Sequence, residues 1–191
     1  MDKMRGLTLI ELLVTMAILA ILMGLAAPSF LRTVRSNAMA TGVNTFLADM
    51  RYARSESVRR GGRVVLCRTD SPEAATPSCA ADAGSTGKGW ATGWIIFHDI
   101  DGNGDYSTGD TTLRVQAALG SVDTVLEGTS TASTKFRFTA TGRLSDTGSA
   151  AKLVFGGDNF ATDLKRVICV SAGGRGRIAG DGTASCGTAN E

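Results

Sequence analysis

Between Leu7 and Ala27 the chain runs for 21 residues with a single charge, Glu11, and no other stretch constrains its folding so strongly. A helix of that length spans the hydrocarbon core of a bilayer. Lys3 and Arg5 precede the run, which predicts a short cytoplasmic N-terminus and export of everything that follows. A secretory signal instead has a shorter apolar region followed by a small-residue cleavage site. Here the small residue at a boundary is Gly6, ahead of the apolar run. Cleavage after Gly6 leaves the helix on the mature protein, with Glu11 as its fifth residue, one helical turn from a free amino group on Leu7. A carboxylate at this depth costs about 2.5–3.5 kcal/mol on insertion scales. In a packed assembly the positive N-terminus of a neighbouring subunit can neutralise it.

Gly6 followed by LTLIE resembles the type III signal of type IV pilins and type II secretion pseudopilins. The resemblance implies that residues 1–6 are a leader removed by a prepilin peptidase between Gly6 and Leu7. It further implies that Leu7 is N-methylated and that Glu11 guides assembly with other pilins. The family usually places Phe or Met where Leu7 stands, and Pro28 falls where pilins often carry a helix-kinking proline. The implied life history is a single-pass inner-membrane precursor with a periplasmic head, later incorporated in a pilus fibre at the cell surface.

After a transmembrane and assembly helix over 7–28, an amphipathic helix is expected over 29–61. Phe30, Leu31, Val34, Ala38, Val43, Phe46, Leu47 and Met50 recur near helical spacing, and Gly61-Gly62 ends the run. One face should pack on the head. Arg32, Arg35, Arg51, Arg54, Arg59 and Arg60 fill much of the other, as a solvated face or a weaker candidate for contact with DNA. The rest, 62–191, reads as a β-rich head. Strands are expected at 63–68, 93–98, 111–119, 122–126, 135–139, 152–155 and 166–171, each short, rich in Val, Ile, Phe or Thr and bounded by Gly, Asp or Ser. The 24 glycines fit many turns. No alternation of strands and helices suggests a doubly wound nucleotide fold, and the resemblance to pilins implies an α+β class: a long N-terminal helix packed on an antiparallel sheet, the type IV pilin fold. The segments GWIIFHDIDGNGDYSTGDTTLRVQ and FRFTATGRL resemble the GspH/FimT branch, which contains minor pilins and minor pseudopilins.

Catalysis has no support. His98 is the only histidine and sits at a strand end, and no P-loop or dinucleotide fingerprint occurs. The cysteines, Cys67, Cys79, Cys169 and Cys186, form no C-x-x-C pair, which argues against zinc. Beside an export signal they read as two disulfides. Of three possible pairings, Cys67–Cys79 and Cys169–Cys186 are preferred because each closes one local loop.

No cofactor is expected, with calcium as an open alternative. Asp99, Asp101, Asn103, Gly104, Asp105 and Asp110 occupy positions 1, 3, 5, 6, 7 and 12 of a calcium-loop pattern. Position 12 is Asp rather than Glu and the flanks read as strands, so a hairpin turn built from αL and Asx-turn residues competes.

The net charge of +2 implies no nucleic-acid partner by itself, so a basic site in the head must be local. One candidate is KRVICVSAGGRGRIAG, where Arg175 and Arg177 share a face if the segment is extended. Gly174 and Gly176 lack side chains, which would let a phosphate backbone come close, and Lys165, Arg166 and Arg143 are further basic candidates. Alone, this motif is equally a structural loop. FimT-like proteins linked to competence carry Gly-Arg-x-Arg near the C-terminus, and the resemblance implies double-stranded DNA binding without sequence preference, for natural transformation. A minor pilin that primes assembly and a type II secretion pseudopilin are the competing functions.

Overall fold

The computed structural model describes residues 8–80, 87–120, 122–127, 134–145, 151–158 and 160–187, and at 27, 28, 126 and 127 the backbone only. Helix α1, Leu9–Arg60, is followed by strands β1 (Val64–Arg68), β2 (Trp94–His98), β3 (Thr111–Gln116), β4 (Thr124–Glu127), β5 (Lys135–Phe138), β6 (Ala151–Gly156), β7 (Arg166–Val170) and β8 (Gly176–Gly180). Contacts divide the chain into two compact units, Met1–Asn37 and Ala38–Glu191.

In the first unit Leu9, Ile10, Leu12, Leu13, Ile18 and Leu25 are all exposed. By length and composition the helix can cross a membrane. Its start is capped locally. The Thr8 hydroxyl accepts the Glu11 N–H at 3.3 Å, and the Glu11 carboxylate accepts the Thr8 N–H at 3.4 Å. This is the reciprocal Thr-x-x-Glu capping box, which satisfies two orphan donors of the first turn.

The second unit is α+β, as expected. Two antiparallel sheets, ordered β3-β2-β1-β5 and β4-β6-β7-β8, share one core with the C-terminal half of α1. The helix contributes Met39, Val43, Phe46, Leu47, Met50 and Ala53, all buried at helical spacing. The apolar stripe that the sequence suggested from Phe30 onward is buried only from Met39, and Phe30, Leu31 and Val34 are exposed. Alternation in β1 divides its side chains between two clusters. Val64 and Leu66 join the main core, whereas Val65 and Cys67 join a smaller one with Ile95, Phe97, Cys79 and Tyr106. Cys67–Cys79, with Cα atoms 5.5 Å apart, ties the segment after β1 to that outer face.

Phe46 is the hub of the main core. Its ring meets Trp90 at 5.3 Å, Trp94 at 5.4 Å, Phe155 at 5.8 Å and Phe136 at 6.3 Å, all edge to face. One helical turn on, buried Asp49 accepts the Trp94 indole N–H at 2.8 Å and pairs with Arg114 at 2.5 Å. Arg114 also lies over the Tyr52 ring, 4.2 Å from its centroid. The buried carboxylate is therefore both paired and hydrogen-bonded, the condition for tolerating it in a core.

The helix ends as Gly61-Gly62 predicts. Both glycines have positive φ, and the Gly62 N–H bonds back to the Ser57 carbonyl at 2.7 Å. Two strand expectations need correction. The third strand stops at Gln116, not Leu119, because residues 117–120 turn away so that the Leu119 N–H meets the Ala91 carbonyl at 2.9 Å. An eighth strand, β8, exists within the glycine–arginine segment, where the apolar signal is too thin to announce one.

Candidate functional site

The processing residues Gly6 and Leu7 lie outside the described residues. The remaining candidates in the head fall in three places.

The glycine–arginine segment forms a β-hairpin. β7 and β8 pair with Val170 opposite Gly176, Cys169 opposite Arg177 and Ile168 opposite Ile178. Between them the Gly174 N–H meets the Ser171 carbonyl, and the Ser171 N–H meets the Arg175 carbonyl, each at 2.9 Å. The glycines face inward. Gly174 is buried with φ +71°, and a Cβ there would stand 2.4 Å from the Gly142 carbonyl oxygen. A Cβ on Gly176 would stand 2.7 Å from Leu47 Cδ2 on α1. Their bareness is thus used for protein packing, not turned toward an incoming phosphate. Arg175 and Arg177 point the other way and are exposed.

Arg143 comes to the same place. Its chain neighbour Leu144 donates its N–H to the Ala172 carbonyl at 3.0 Å, and Gly142 abuts Gly174. Arg54 of α1 joins them, since a Cβ on Gly142 would stand 2.9 Å from its Nε. Arg54, Arg143, Arg175 and Arg177 therefore surround one junction of helix, turn and hairpin. Sequence reasoning placed Arg54 only in a helical stripe. Its proximity depends on tertiary packing of Gly142, and no local pattern announces that.

Lys165 and Arg166 do not join this group. They sit at the other end of β7, where the Arg166 guanidinium donates to the carbonyls of Asp163 and Lys165 at 2.7 and 2.8 Å. Near them, the hydroxyl and N–H of Thr183 hold the Asp181 carboxyl below its ordinary range, with Arg166 adding to the effect. Arg59 and Arg60 of the helical stripe are engaged as well. Their hydrogen bonds to Glu56, at 2.5 and 2.8 Å, hold that carboxyl down at about 2. The preferred second disulfide is present: Cys169–Cys186, Cα atoms 5.6 Å apart, anchors the segment after β8 to the strand beside Arg177.

Because Gly174 has a left-handed backbone and a carbonyl in the path of any Cβ, Gly174→Ala should destabilise the head by about 2–3 kcal/mol. Chemical denaturation of the variant checks this. A loss below half a kcal/mol, on the same scale, would mean the hairpin turn can relax away from Gly142.

The acidic loop joins β2 to β3. Asp99, Asp101 and Asp110 bring carboxylate oxygens within 4.8 Å of one another. The Asn103 side-chain oxygen and the Asp105 carboxylate have other partners. The Asn103 Oδ1 accepts the Asp105 N–H at 2.6 Å, and Asp105 pairs with Lys135 Nζ at 2.6 Å. The converging carboxylates already accept backbone donors: Asp99 from Gly102 and Gly104, Asp110 from Ile100 and Ser107, each at 2.7 or 2.8 Å. Arg137 of β5 lies beneath, donating to the Asn103 carbonyl at 3.2 Å, with Gly104 bare against its guanidinium.

Comparison with known proteins agrees with this architecture. Residues 1–27 match the prokaryotic N-terminal methylation motif, and residues 42–174 match the family described as type II transport protein GspH. No curated protein and no solved structure matches the chain. A methylation-type N-terminus on a long apolar helix, joined to a two-sheet head that the family model covers for most of the chain, places this protein in the GspH family of type IV pilin-like proteins.

Proposed function

We propose that this chain is a minor pilin of the FimT type, inserted in the inner membrane with a periplasmic head, cut between Gly6 and Leu7, methylated at Leu7 and built into a pilus. In that setting its head binds extracellular double-stranded DNA for natural transformation. The observation that carries the DNA step is the junction just described: Gly174 and Gly176 seat the hairpin, and Arg175 and Arg177 stand outward beside Arg143. Arginine forks suit phosphate oxygens. The aromatic ring against Gly174, Phe138, is buried in the core and offers no face for base stacking. Contact is therefore to phosphates and independent of sequence.

The test is a salt titration of DNA binding by the full chain in detergent. Arg175→Ala with Arg177→Ala should weaken binding about tenfold or more and reduce the salt slope by about 2, one per lost phosphate contact. Arg166→Ala, at the far end of β7, should change neither. Unchanged affinity and slope in the double variant sink the DNA step and leave the pilin assignment standing.

The family description as a type II transport protein favours one second reading, a pseudopilin of a secretion system. A deletion strain that keeps its pili but fails to secrete enzymes would select it. A strain that loses pili, with a head that ignores DNA, would point instead to assembly priming.

A further inference from the structure

The acidic loop contains two dipeptides known in general chemistry for spontaneous backbone rearrangement, Asp101-Gly102 and Asn103-Gly104. In such pairs the glycine amide nitrogen attacks the preceding side-chain carbonyl carbon. At Asn103 the new C–N bond expels the side-chain nitrogen, which leaves as ammonia with the proton from the Gly104 nitrogen. Water then opens the five-membered imide on either side, giving aspartate or isoaspartate. At Asp101 the same closure expels water and requires the carboxyl to be protonated. Both reactions need a glycine nitrogen free to lose its proton and to approach the neighbouring side chain.

Neither nitrogen is free. The Gly102 N–H donates to one oxygen of Asp99 and the Gly104 N–H to the other, both at 2.8 Å. Asp99 is itself buried, 4% exposed, so water competes weakly for its oxygens. Removing a proton from a nitrogen that faces a carboxylate sets two anions against each other and forfeits a charge-assisted hydrogen bond. The electrophiles are restrained as well. Asn103 holds its side chain between the Asp105 N–H and the Asp101 carboxylate, at 2.6 and 2.7 Å. Asp101 in turn accepts the Asn103 N–H at 3.0 Å.

We propose that Asp101-Gly102 and Asn103-Gly104 form a latent imide-forming modification site, kept dormant because the two oxygens of Asp99 occupy both glycine N–H groups. The two dipeptides are the turn-forming residues that let β2 reverse into β3. Asp99 lets the loop use them without the covalent damage they invite. Isoaspartate at either place inserts an extra backbone carbon and removes the geometry of the turn.

The test ages the full chain in detergent with chelator at neutral pH and 37 °C. Peptide mapping by mass spectrometry then counts deamidation at Asn103 and isoaspartate at both positions. The reference is the free peptide DIDGNGDYS. The native loop is expected to react at least about tenfold more slowly than the peptide, the factor set by how rarely charge-assisted hydrogen bonds of this kind open. Asp99→Ala should bring the rate toward that of the peptide. Asp105→Ala removes the exposed Lys135 pair but leaves both glycine bonds, and should react like the native chain. Because Asp99→Ala removes two loop hydrogen bonds at once, hydrogen exchange on the native chain supplies an independent readout, with the Gly102 and Gly104 amides expected to exchange slowly. Native deamidation at the peptide's rate, fast exchange at both glycines, or equal acceleration by Asp99→Ala and Asp105→Ala would each overturn the proposal.

Discussion

Truncating Phe46 to alanine is expected to lower the stability of the head by about 3–5 kcal/mol, the range for removing a buried aromatic ring and leaving its cavity. The upper part of the range applies because this cavity cannot close easily. Four rings stand edge-on around Phe46, and they come from different elements: Trp90 from the turn before β2, Trp94 from β2, Phe136 from β5 and Phe155 from β6. The first sheet supplies Trp94 and Phe136, the second supplies Phe155, and Phe46 is the helix residue that meets both. Collapse of one side chain into the void therefore pulls it from its own sheet. For a head of this size the loss should lower the melting temperature by roughly 10–20 °C. Near-ultraviolet circular dichroism should weaken even below that temperature, because both tryptophans lose a ring partner. Phe46→Leu should recover much of the loss, since it keeps most of the apolar contact. A melting temperature within about 3 °C of the native value for Phe46→Ala would show that the two sheets hold together without the helix.

The sequence made this architecture legible in parts, for identifiable reasons. The apolar run with Glu11 was readable because a bilayer imposes a length and penalises charge, and both constraints are written residue by residue. Strands β1, β2, β5 and β7 were readable because Val, Ile and Phe cluster between breakers. β8 was not, because Gly176-Arg177-Ile178-Ala179-Gly180 carries one large apolar residue and owes its strand state to pairing with β7. The same limit applies to the basic site. Arg175 and Arg177 could be picked out by spacing, and Arg143 by charge, but Lys165 and Arg166 lie nearer in sequence than Arg143 and yet farther along the fold. Chain distance misleads in a hairpin, where five residues of extended strand span about 16 Å. Asp49 was invisible for a related reason. A carboxylate on an amphipathic helix reads as solvated, and only the pairing of Trp94 and Arg114 across the core reveals it as buried.

The second large effect is expected at Glu11, where two physical roles coincide and can be separated. As the closing residue of a capping box, Glu11 accepts the Thr8 N–H and stabilises the first turn of α1. As a carboxylate in an apolar run, it costs about 2.5–3.5 kcal/mol on insertion unless something neutralises it. Glutamine serves the first role, since Thr-x-x-Gln also closes the box, but it cannot attract an ammonium group. Valine serves neither. If the box is the reason for Glu11, Glu11→Gln should behave as native and Glu11→Val should fail. If pairing with the N-terminus of a neighbouring subunit is the reason, both variants should insert in the membrane at least as well as native. Both should be cut normally after Gly6, yet both should be nearly absent from sheared fibres while the precursor pool is unchanged. The second pattern is expected. A local cap contributes only about 1 kcal/mol, too little to decide whether a 52-residue helix forms. A charge stripped of its counter-charge in hydrocarbon costs several times that at every subunit contact. Immunoblots of the fibre and membrane fractions decide the matter: native levels of the glutamine variant in fibres would remove intersubunit charge pairing as the reason for Glu11.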